Sequence, residues 1–215
     1  MNKLLKKNGY IVKKITNKRL LNSIKKIIKT HFNKQNKYYL KISIKKFHQI
    51  AIKCQNEINK TNFNEEFYNS EKKFFKKLFK NEKIAISSVI TLRAVRPNIN
   101  KNQEVEQLGW HRETFYGKNT YIKHAMNIWF PLLNVSKNSF LNIIPKSHLI
   151  DDKKIKRRVS IPKNYSVKKF SNSHKLGFPY SPKKIISGVD LTKSKRVKVS
   201  KDSYIIFSQL LIHGN

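Results

Sequence analysis

Apolar residues in the first third of the chain recur at helical spacing. Over residues 19–32 they fall at Leu20, Leu21, Ile24, Ile27, Ile28 and Phe32, the i, i+3/i+4, i+7 rhythm that gathers them on one helix face. Lysines fill the opposite face. The rhythm returns at Ile44, Phe47, Ile50, Ala51 and Cys54, and again at Phe67, Phe74, Phe75, Leu78 and Phe79. Asn64, followed by Glu65 and Glu66, predicts a cap and first turn for the third helix, because carboxylates favour the positive helix end. His31 and His48 fall on these helices and are read as surface residues. Residues 1–82 are therefore expected to be mostly helical.

From Lys83 the texture changes. Residues 84–95 are rich in β-branched side chains and stop just before Arg96-Pro97, which predicts a strand. Beyond a polar loop at 98–107, short apolar runs follow at 108–111, 125–133, 140–144, 197–199, 204–207 and 210–213. Helices followed by several short strands predict an α+β, mainly β chain: an antiparallel sandwich or barrel with the N-terminal helices packed outside. Residues 83–215 would form that core, and 1–215 a single domain. Residues 151–190 are lysine-rich and lack a clear period, so they are expected to be a loop insertion, serving as a lid or surface loop.

Composition refines this picture. The 13 Phe, 9 Tyr and 2 Trp in 215 residues supply the bulk for a packed core that a disordered chain lacks. A formal net charge of +35 points first to polyanions. Yet only seven of the 47 basic residues are Arg, whereas nucleic-acid readers lean on the Arg fork. Lys, Asn, Ile, Phe and Tyr share A/T-rich codons, so base composition accounts for the bias. The lysine runs are read as solvated faces, and no specific nucleic-acid partner is expected. One cysteine, Cys54, excludes an internal disulfide and fits a reducing compartment. No apolar leader is visible, and the apolar run at 128–133 is far short of the roughly 20 residues that cross a bilayer. A cytoplasmic location without a membrane span is expected.

The most informative segment is Trp110-His111-Arg112-Glu113-Thr114. On a strand, residues two apart share a face, so His111 and Glu113 project together while Arg112 points away. An imidazole and a carboxylate on one face make two-thirds of a facial triad, which leaves metal positions open for other ligands. The third ligand should be a His from a distant strand. Leu211-Ile212-His213-Gly214 supplies it, with a glycine where backbone can approach closely.

Several runs then fall in the order and approximate spacing of one family. They are Trp110-His111-Arg112-Glu113, Asn127-Ile128-Trp129-Phe130-Pro131-Leu132, the run from Asn138 through Pro145-Lys146-Ser147-His148, and His213-Gly214-Asn215. The chain resembles the phytanoyl-CoA dioxygenase family, most sharply from about Ser87 onward. Asn8-Gly9-Tyr10-Ile11-Val12 looks like that family's opening strand, and Trp110 through Tyr116 looks like the dioxygenase-like proteins of streptomycin-type biosynthesis clusters. The resemblance implies a double-stranded β-helix (jelly-roll, cupin-like barrel) that uses Fe(II), 2-oxoglutarate and O2 to hydroxylate a small molecule or biosynthetic intermediate.

Residue by residue, His111, Glu113 and His213 match the iron ligands. Asp is usual where Glu113 stands, and Glu serves the same charge role. Related halogenating enzymes replace this carboxylate by a small residue, so Glu113 implies hydroxylation. Trp129 matches a position near the co-substrate, Arg93 or Thr91 is expected to reach it, and Asn215 matches a polar position that touches the 2-oxoglutarate carboxylate. His124 and His148 are read as structural.

The family also anchors the far carboxylate with an Arg about ten residues beyond the distal His, a strong bidentate contact. This chain ends two residues after His213, so a fragment lacking its C-terminal strand is expected. Another basic anchor and impaired co-substrate binding are the alternatives. Two rival functions stand beside the oxygenase: a 2-oxoglutarate-independent cupin-like metalloenzyme, and a basic nucleic-acid- or membrane-binding protein with an inactive barrel. The lysines of residues 151–190 suggest an anionic substrate.

Overall fold

The computed structural model describes residues 3–80, 83–96, 109–115, 125–133, 141–159 and 183–214. The chain forms two compact units. One joins Met1–Ile15 to Leu108–Pro162 and Ser181–Asn215, and the other comprises Thr16–Gln107 and Lys163–Tyr180. Among the described residues, no helix is long and apolar enough to cross a membrane.

The first unit holds the strands. A short helix, α1 (Lys3–Asn8), turns at Gly9 into β1 (Tyr10–Lys14). The other strands are β2 (Met126–Trp129), β3 (Asn142–Ile143), β4 (Lys156–Val159), β5 (Lys183–Ser187), β6 (Lys195–Arg196), β7 (Ser203–Ser208) and β8 (His213–Gly214). They form antiparallel sheets in the orders β1-β7-β2, β6-β3-β8 and β4-β5. Strand β7 is paired on both edges and buried over Ser203–Phe207, which explains why its sequence is an unbroken apolar run.

Ile205 and Phe207 of β7 meet Leu141, Ile143 and Val197 of the second sheet, with Tyr10 and Trp129 packed alongside. Side chains from the two three-stranded sheets thus share one core cluster. Phe115, Ile144, Ile155, Ile185 and Ile212 make a second cluster. Among the described residues the sheets are open, with no closed barrel.

Gly9 sits where three constraints meet. Its φ is +83°, and a Cβ there would lie 2.5 Å from Nδ1 of His148 and 2.8 Å from Leu211. Its carbonyl accepts from Ser208 N at 2.9 Å. His148, read as structural, is so: its Nε2 lies 3.0 Å from the Lys6 carbonyl and ties α1 to the turn at Ser147–Leu149.

The second unit holds α2 (Lys18–His31), α3 (Asn36–Lys41), α4 (Ile44–Ile58) and α5 (Phe63–Leu78). The α2 face expected from periodicity is buried at Leu20, Leu21, Ile24 and Ile28. Phe32 and Tyr39 each pack edge-on against Phe47 at 5.7 and 6.2 Å and tilt against each other at 5.6 Å, and Arg96 lies 5.4 Å over the Phe47 ring. Glu71 is buried and accepts from Thr16 N at 2.6 Å.

Four local expectations need correction. Residues 84–95 make no strand. The segment lies against α4 and α5, and side-chain amides take the place of a neighbouring strand: Asn59 bonds both N and O of Ile90, Gln55 accepts from Leu92 N, and Asn64 donates to Ser87 O. Asn64 is therefore inside α5 and engaged elsewhere, and the helix begins after Asn62. His48, read as a surface residue, is buried beside Phe47. The 151–190 segment is not wholly a loop, since β4 and β5 pair within it where Ile155 and Ile185 find core partners. Its middle, 160–182, lies outside the described residues.

Two outcomes are expected. Gly9→Ala should lose roughly 1–3 kcal/mol of unfolding free energy, the cost of a strained left-handed residue, measured by denaturant titration. An unchanged stability would contradict the close approach to His148. Cys54 is fully buried, and burial, with the charge of Glu57 adding to it, pushes its thiol up to about 12. A disulfide reagent at pH 8 should therefore modify Cys54 only after denaturation, because the thiolate is the reactive form.

Candidate metal centre

Three potential ligands converge from two segments about a hundred positions apart in sequence. His111 and His213 form an antiparallel bridge in which each backbone N–H donates to the other's carbonyl at 2.9 Å. Directly opposed residues of such a pair carry their side chains on one face. The two imidazole centroids are accordingly 4.2 Å apart. His213 also pairs with Ile143 on its other side, so β8 lies between β3 and the His111 segment. Gly214 makes the approach possible: a Cβ there would lie 3.3 Å from Trp110 N.

The chain turns at Glu113–Phe115 into a short 3-10 segment. Glu113 N donates to Gln209 O at 3.2 Å, and its Oε1 lies 3.5 Å from Nε2 of His213. One ligand atom from each of His111, Glu113 and His213 lies within 4.8 Å of the others. In a facial triad the ligand atoms lie cis, about 3 Å apart when each is about 2.1 Å from the ion, so the widest pair must draw inward by up to roughly 2 Å to close on a metal.

Both imidazoles are prepared for that role. Nδ1 of His111 lies 2.7 Å from the Gly109 carbonyl, and Nδ1 of His213 lies 2.9 Å from the Leu211 carbonyl. A carbonyl only accepts, so each ring donates from Nδ1 and leaves Nε2 as the nitrogen that can bind a metal. Such outer contacts fix tautomer and ring orientation in metal-binding histidines. The rings are almost completely buried, while Glu113 is half-buried. The ring of Phe207 packs edge-on 4.8 Å from His213 and walls the site on the side of the first sheet. Two imidazoles and one carboxylate are a donor set that suits a divalent metal, Fe(II) among them.

Burial alone would raise the Glu113 carboxyl. The hydrogen bond and charge of His213, the charge of His111 and the Asn127 amide outweigh it and hold the pKa below the usual 4.5. Asn127 Nδ2 donates to Glu113 Oε1 at 3.0 Å. No local pattern announces this contact, and the resemblance gives the functional role in Asn127-Ile128-Trp129 to Trp129. The strand period puts Asn127 and Trp129 on one face of β2. Asn127 reaches the carboxylate, and Trp129 packs on the core cluster.

Arg112 points away from the ligands, as expected, and is 1% exposed. It is committed to Ser147 O, Ile150 O and the Asp152 carboxylate. Arg93 belongs to the helical unit, and Asn215 and His124 lie outside the described residues.

The depressed Glu113 carboxyl has a pH consequence. A carboxylate whose folded pKa lies below its unfolded value stabilises the fold fully above that unfolded value, and the gain is lost as pH falls through the folded one. The stability of the metal-free chain relative to Glu113→Gln should therefore be greatest above about pH 5 and shrink on acidification. A stability difference that is flat from pH 7 to 3 would contradict the assignment.

Comparison of the chain with protein-family models, with curated proteins and with solved structures gave no match.

Proposed function

We propose that this chain is a non-haem Fe(II)- and 2-oxoglutarate-dependent dioxygenase of the phytanoyl-CoA dioxygenase type, built on a jelly-roll core and hydroxylating a small molecule. The observation that carries the reading is the bridged histidine pair with both Nδ1 protons held by backbone carbonyls and Glu113 beside them. A buried His pair serving the fold alone has no need to hold both Nδ1 atoms on carbonyls with a carboxylate beside the rings. When bound, iron and 2-oxoglutarate supply an oxidant made from O2 that is able to hydroxylate a C–H bond.

The chain's own residues hold and shield that chemistry. His111, Glu113 and His213 are the iron ligands, and Glu113 balances one of the two metal charges. Asn127 keeps one Glu113 oxygen oriented, which limits the ways the carboxylate can swing. Phe207 excludes water beside His213. By the resemblance, Trp129 and Asn215 are assigned to 2-oxoglutarate. Arg112 is not offered to it, since its guanidinium is spent on Asp152 and two carbonyls. That commitment favours, as a second reading, a cupin-like metalloenzyme with the same ligands and no 2-oxoglutarate. The reading places the protein in the cytoplasm and gives it no nucleic-acid partner.

Anaerobic addition of Fe(II) and 2-oxoglutarate to the purified chain tests the proposal. The expected result is the weak visible charge-transfer band of the chelate, abolished in His111→Ala. Iron binding with no band would favour the second reading. Neither band nor iron binding would overturn the metal assignment.

A further inference from the structure

The two ligand-bearing segments share more than their bridge. Arg112 stands between His111 and Glu113, and its guanidinium crosses to the turn at residues 147–152. There Nη1 donates to Ile150 O at 3.0 Å and to Asp152 Oδ1 at 2.5 Å, and Nη2 donates to Ser147 O. Thr114, on the other side of Glu113, donates to Asp152 Oδ2 at 3.0 Å. Both oxygens of one carboxylate are thus held by the segment that carries two of the ligands.

The third ligand arrives from elsewhere and meets the same turn. Ile212, immediately before His213, donates its N–H to Ser147 Oγ at 2.8 Å. Ser147 is 1% exposed, so this N–H has no water to fall back on. Ser147 therefore accepts from both arms, from Arg112 through its carbonyl and from Ile212 through its hydroxyl.

We propose that Arg112 is a positioning residue, and that with Ser147 and Asp152 it fastens both ligand-bearing segments to one turn, which sets the spacing of His111, Glu113 and His213. This rests on the metal reading above and assigns a role to residues outside the ligand set. A buried guanidinium is a costly way to fill space, because the charge must be desolvated and its donors answered, and here the buried Nε meets no partner among the described residues. Burial indeed lowers the Arg112 pKa, against the hydrogen bond and charge of Asp152. An apolar side chain would serve packing alone. What the fork adds is direction, since its planar donors reach two carbonyls and a carboxylate at fixed angles. A bridge of a single histidine pair leaves Glu113 free to pivot on the 3-10 turn. Anchors at 112 and 114 clamp it on both sides.

Truncating Arg112 would leave Asp152 and two carbonyls unanswered, and that variant is expected to unfold. Asp152→Asn and Ser147→Ala are the gentler probes, one on each arm. Co(II) affinity is measured by its visible spectrum, and hydrogen exchange is followed at the amides of His111 and His213 in the metal-free chain. Each variant should bind Co(II) about 10-fold to 100-fold more weakly, as outer-shell changes do, and both amides should lose protection in either variant. The double variant should be worse by less than the product of the two, because the arms share one turn. Wild-type affinity with both amides still protected in Asp152→Asn and Ser147→Ala would overturn the proposal. Loss of protection at only the arm that was cut would overturn it too. If the wild-type chain binds no Co(II) while both amides respond together, the metal reading fails and the turn stands as the device that registers the histidine pair.

Discussion

The site depends on one reciprocal contact: the two backbone hydrogen bonds, each 2.9 Å, that pair His111 with His213. An antiparallel hydrogen-bonded pair fixes which residues oppose each other and which face their side chains occupy. A slip of one residue would put Arg112 or Ile212 on the metal face and send a histidine into the core. Everything near the site guards that register. Gly214 lets the backbones approach, Ile144 N holds Ile212 O at 2.9 Å, and the Ser147 hydroxyl holds Ile212 N.

The surrounding sheets explain why such a contact can be made by very short strands. Strands β3, β6 and β8 contain two residues each, too few to be stable alone. They are backed by β7, which is paired on both edges and buried along its length, and whose Ile205 and Phe207 fill the space between the sheets. Phe207 also touches the His213 ring. Core packing and ligand placement therefore share a side chain, and the buried apolar area of β7 stabilises a site that its own hydrogen bonds could not hold.

Much of the His-Glu-His cluster was legible in the sequence, because alternation on an extended segment is local: His111 and Glu113 two apart, and His213 followed by a glycine. The helices α2, α4 and α5 were legible for the same reason, since a 3.6-residue rhythm needs no knowledge of partners. The rest depended on which distant segment lands opposite. Residues 84–95 have β-branched composition and run extended, yet Asn59, Gln55 and Asn64 satisfy them, and no local pattern announces an amide side chain replacing a strand. Asn127 and Trp129 share a face, so sequence could place both inward but could not tell which reaches Glu113. Strand alternation turns Arg112 away from the cluster, but its destination on Ser147–Asp152 comes from a turn 35 to 40 positions later.

If the bridged histidines and Glu113 hold one iron, X-ray absorption at the iron edge of the Fe(II)-loaded chain will see it. Scattering from two imidazoles at about 2.0–2.2 Å together with oxygen donors is expected, with the loss of one imidazole in each of His111→Ala and His213→Ala. An iron environment of oxygen donors alone, or one unchanged by both substitutions, would contradict that assignment.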